Sequence, residues 1–169
     1  MYWGTDFIGF AVAIFFTLVL LGIVGGIVAA IRYELGAPVP SISGHLNGIL
    51  QNLGLDAVIG ALITLCIAYF IGGYTAGRMA RFDGAKNGIG VVIWTVIVAI
   101  PLGAAGTIAG HRFNLASHVH LTIDASTLMV GIVISIAAIL VVMILAAVLG
   151  GAIGERYHRR IDRDVEALQ

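Results

Sequence analysis

The stretch His118-Val119-His120 has the spacing that most directly suggests chemistry in this sequence. Side chains two apart in an extended segment share a face, so both imidazoles would point the same way. Asp124 lies close by in sequence, and His45 and His111 fall in segments that the topology argued below brings to the same side. Imidazole with carboxylate suits zinc or copper, and imidazole alone titrates near neutral pH. His45, His111, His118 and His120 therefore read as an outer-face Zn or Cu site, as a pH sensor, or as ordinary interfacial histidines of polar loops. A metal centre asks for three or four ligands at fixed geometry, of which the sequence displays only the two-residue spacing. No other cofactor is implied.

A second group is basic. Arg78, Arg81 and Lys86 flank the turn dipeptide Asp83-Gly84, and Arg156, Arg159 and Arg160 follow the last apolar run. Near an anionic membrane surface each such charge contributes about 1 kcal/mol; docking of a partner is the sharper alternative. Nucleophilic chemistry has no setting here. There is no Gly-x-Ser-x-Gly, no Walker-type loop and no strand-borne dinucleotide fingerprint. Cys66, the single cysteine, reads as a small buried hydrophobe. The chain is expected not to be an enzyme.

What must position these groups follows from composition. Of 169 residues 60% are hydrophobic and only 11% charged, with 23 glycines, and mean hydropathy is +1.06. Soluble domains carry about 25% charged residues. The hydrophobicity excludes disorder, and the balance of 9 basic and 9 acidic residues excludes a dedicated nucleic-acid binder. An integral membrane protein remains, with the bilayer as its first partner.

Four uncharged runs, at about 7–31, 57–76, 88–110 and 126–154, each meet the ~20 residues needed to cross ~30 Å of hydrocarbon as a helix. Residues 1–154 form one four-helix transmembrane domain in this reading, and the charged tail 155–169 extends the last span as a helix. Seven of the nine basic residues fall on one side of such a topology, leaving Arg32 and Arg112 on the other. The positive-inside rule then puts both termini in the cytoplasm. The spans so bounded hold no Asp, Glu, Lys, Arg or His, which argues against a proton-coupled carrier.

The chain also repeats. Gly9, Gly22 and Gly25 match Gly90, Gly103 and Gly106 at an offset of 81, and Arg32-Tyr33-Glu34-Leu35 falls on Arg112-Phe113-Asn114-Leu115 one residue shorter. The expectation is an all-α bundle of two parallel helical-hairpin repeats. Gly22 and Gly26, Gly73 and Gly77, Gly106 and Gly110, and Gly150 and Gly154 give each span one small-residue pair a helical turn apart. Such pairs let helices approach closely in lipid, within the bundle or between copies. Pro101 should kink the third span near Ile97.

The stretch Gly72-Gly73-Tyr74-Thr75-Ala76-Gly77-Arg78-Met79-Ala80-Arg81-Phe82-Asp83-Gly84-Ala85, together with the ending Gly150-Gly151-Ala152-Ile153-Gly154-Glu155-Arg156-Tyr157-His158-Arg159-Arg160-Ile161-Asp162, resembles a group of small uncharacterised four-span bacterial membrane proteins. The resemblance implies a bacterial inner-membrane location and the orientation above, and no activity. Three functions stay open: a structural or accessory module that associates with itself or another membrane protein; an oligomeric channel or small-solute permease lined at Thr95 and Thr107; and an outer-face metal or pH sensor.

Overall fold

The structure, a computed structural model, describes residues 2–36, 55–80, 82–112 and 125–166, with side chains described over 2–36, 59–80, 82–109 and 133–156. These residues form four helices: α1 (Trp3–Glu34), α2 (Leu55–Met79), α3 (Gly84–Arg112) and α4 (Ala125–Glu166). All four are long and apolar enough to cross a membrane, so the chain is an all-α, multi-pass membrane protein. They run alternately up and down. The end holding the 80–83 turn is called the turn end below, and the opposite one the loop end.

The helices overrun the uncharged runs for local reasons. α1 starts at Trp3 rather than Phe7 and so takes Asp6 into its first turn. α4 continues without a break to Glu166, since no Gly or Pro follows Gly154 to stop it. α3 continues as one helix through Pro101; the Ile97 carbonyl must forgo its helical donor. On α1, Tyr2 and Trp3 at one end and Tyr33 at the other are more than half exposed. They stand about 45 Å apart at ~1.5 Å per residue, which matches the depth of a bilayer with its head groups.

α2 packs against all three other helices, most extensively against α4, whereas α1 and α4 barely meet. The core lies at the turn end and is made of small residues, with Ala13, Ala68, Ala76 and Ala147 around Tyr69 and Met143. Glycine sets the approach. A Cβ at Gly73 would meet the Ala147 backbone, one at Gly77 the Gly151 backbone, one at Gly150 the Phe70 backbone and one at Gly154 the Tyr74 backbone, all within 3 Å. In lipid this backbone-to-backbone packing replaces the hydrophobic effect as the attractive force.

The same geometry corrects the expectation for the other pairs. Around Gly22, Gly26 and Gly106 a Cβ would meet nothing within 4 Å, so these glycines do not pack the bundle. Toward the loop end a cavity of about 340 Å³ opens between α2 and α4, bordered by Leu62, Leu65, Ser135 and Ile139. Gly110 lies in the last turns of α3. Cys66, expected to be buried, is exposed on the bundle surface.

Candidate functional site

Polar groups gather at the turn end, just outside the uncharged runs. Three elements meet there: the start of α1, the start of α3 and the point where α4 leaves the bundle.

Glu155 of α4 is buried, and its Oε2 accepts a hydrogen bond of 2.8 Å from the backbone N–H of Gly84, the first residue of α3. That N–H has no partner within its own helix, so a carboxylate from another helix caps it and faces its positive dipole. Gly84 is required for this approach, because a Cβ there would strike the Gly151 carbonyl. Asp83, just before it, takes a left-handed conformation with φ 60°, which Asp tolerates better than most residues.

Asn87 is fully buried and ties three segments together. Its amide nitrogen donates to the carbonyls of Phe82 (3.2 Å) and Asp83 (3.0 Å). Its Oδ1 accepts from the backbone N–H of Tyr2 at 2.9 Å, another donor that a helix start would otherwise leave unpaired.

Asp6 differs from both. It is 0% exposed, and neither carboxylate oxygen has a hydrogen-bond partner. Its carboxylate lies directly against Gly90 of α3, where any Cβ would overlap it. One turn along α3, Trp94 packs edge-on to Trp3 (centroids 5.9 Å) and Phe7 (5.0 Å), and its indole N–H is also buried without a partner. Deeper in, Tyr69 Oη and Thr95 Oγ1 are 2.9 Å apart, and Thr95 also donates to the Val91 carbonyl. Thr95 is thus engaged inside the bundle, and Thr107 donates to Ala104 of its own helix.

Among the residues expected to act, His45, His118, His120 and Arg81 lie outside the described residues, and His111 falls in the last turn of α3. Among the described residues no three His, Cys, Asp or Glu side chains gather closely enough to hold a metal ion. Arg78 donates to the Tyr74 hydroxyl at 3.3 Å, Lys86 bridges Asp83 at 3.0 Å, and Arg156 is exposed. Arg159 and Arg160 stand on the helical extension of α4. Span limits set at the nearest polar or charged residue leave Asp6, Asn87 and Glu155 outside the spans. One signal was present: the offset of 81 that aligns Gly9 with Gly90 also aligns Asp6 with Asn87.

Comparison with family models, with curated proteins and with solved structures finds no match.

Proposed function

We propose that this chain is a non-enzymatic, self-associating module of a bacterial inner membrane, with the turn end and both termini in the cytoplasm. The observation that carries the reading is the split in glycine use. Gly73, Gly77, Gly150 and Gly154 are filled by neighbouring backbone, whereas Gly22, Gly25 and Gly26 of α1 and Gly103 and Gly106 of α3 are open. A glycine groove facing lipid forfeits the van der Waals contact that a second helix supplies. Both open stripes lie toward the loop end, where Ile23, Ile27, Leu102 and Ile108 are more than half exposed. A second copy of the chain would bury them. The offset that relates the two stripes supports a duplicated hairpin offering two similar faces, and Arg78, Arg81, Lys86, Arg156, Arg159 and Arg160 would hold the turn end at an anionic surface.

The test is native mass spectrometry from mild detergent, with Gly22→Leu/Gly26→Leu and Gly106→Leu variants. The reading expects an oligomer of the wild type that falls to monomer in the variants. A monomeric wild type, or oligomers indifferent to these leucines, would remove it. A second reading, an oligomeric small-solute permease, draws on Asp6, an acid inside a spanning helix of a kind that membranes retain for function.

A further inference from the structure

The α1–α3 seam holds a buried acid. Asp6 is fully buried with both carboxylate oxygens unpartnered. Gly90 provides the recess that admits it. Trp94 leaves a buried indole N–H unpartnered on the same stretch of α3. An isolated ionised carboxylate shut away from water is costly, and a chain that keeps one neutralises it with a proton, a metal ion or an opposite charge. Among the described residues no neighbour supplies such a charge by hydrogen bond. α2 presents Gly72 and Ala76 to this part of α1. α3 presents Asn87, whose oxygen is committed to the Tyr2 N–H, while its Lys86 is two-thirds exposed and bridges Asp83. α4 scarcely reaches α1.

We propose that Asp6, in the recess formed by Gly90, is a binding site for a monovalent cation, either a proton or an alkali metal ion. Access is short. Asp6 is three residues from the start of α1, about 5 Å along the helix axis, so a small opening of the seam at the head-group level admits the ion. Occupation neutralises the acid and lets α1 and α3 close; loss of the ion leaves a charge that favours their separation.

The chain carries its own reporter, because its two tryptophans, Trp3 and Trp94, pack edge to face in this seam. The full-length protein in lipid nanodiscs is titrated with NaCl against choline chloride at constant ionic strength, and separately with pH, while tryptophan emission is followed. A saturable change that is lost in Asp6→Asn is the expected result. Saturation by Na⁺ identifies an alkali ion, and a response to pH alone identifies the proton. A flat trace in both titrations, or a response that Asp6→Asn retains, overturns the site. Because the variant itself could alter packing, the wild type is also treated with dicyclohexylcarbodiimide, which attacks carboxylic acids in apolar surroundings. Modification mapped to Asp6 and suppressed by Na⁺ or by alkaline pH supports the site; no modification there, or one indifferent to both, defeats it.

Discussion

Consider replacing Gly77 by alanine. The new Cβ would meet the Cα, C and O atoms of Gly151, all within 3 Å. Carbon atoms rest at about 3.5–4.0 Å, so α2 and α4 must part by roughly 1 Å. The obstacle is backbone and cannot rotate away. Overpacking of this kind costs about 1–3 kcal/mol, and the backbone contact places Gly77 at the upper end of that range. Alanine returns about 1 kcal/mol of helix propensity. The net loss is about 2 kcal/mol, up to a ~30-fold fall in the folded-to-unfolded ratio. Gly22→Ala is the internal control, because nothing lies within 4 Å of its Cβ position. There only the propensity gain remains, and the dilute monomer should be stabilised by up to about 1 kcal/mol. Reversible unfolding in mixed micelles, followed by circular dichroism at rising dodecyl sulfate, reads both. Equal shifts for the two variants, or a Gly77→Ala protein more stable than wild type, would refute the glycine map on which the bundle geometry rests.

Other perturbations separate the capping contacts. Glu155→Ala strands the Gly84 N–H and should cost about 1–2 kcal/mol in the same unfolding assay, with Glu155→Gln costing less because an acceptor remains. Asn87→Leu removes the acceptor of the Tyr2 N–H and both tethers to the turn. It should cost about 1–3 kcal/mol and speed amide exchange at the start of α1. Lys86→Ala breaks only an ion pair that is 67% and 54% exposed, so its effect should stay below about 0.5 kcal/mol and vanish in high salt.

The four helices were legible because uncharged runs of this length have one stable form in lipid, and the helical continuation past Gly154 was legible because nothing in 155–166 interrupts it. The contact pattern was only half legible. Gly-x3-Gly marks where close approach is permitted and carries no information on whether a neighbour is there, so Gly73 and Gly22 look alike in sequence and differ in the fold. The turn-end polar groups were hidden for another reason. Glu155 reads as the first residue of a charged tail and Asn87 as part of a turn, and their roles appear only when α3 begins between α1 and α4. Asp6 was discounted by the charge that makes it worth attention. Span limits set at the nearest charge leave it out of the span, whereas the helix itself starts at Trp3 and includes it.

The unbroken course of α4 has a mechanical consequence. From its clamp at Gly151 to Glu166 the helix continues for about 20 Å at ~1.5 Å per residue; Gly154 is held against the Tyr74 backbone, and no Gly or Pro follows it to act as a hinge. A helix matched to its bilayer answers a change in hydrocarbon thickness by leaning. A lean of about 10° would then carry the far tip sideways by roughly 3–4 Å, as a lever arm does. The projecting rod therefore turns the thickness of the surrounding lipid into a displacement in water, which a pair of spin labels at its tip and on the 80–83 turn would measure.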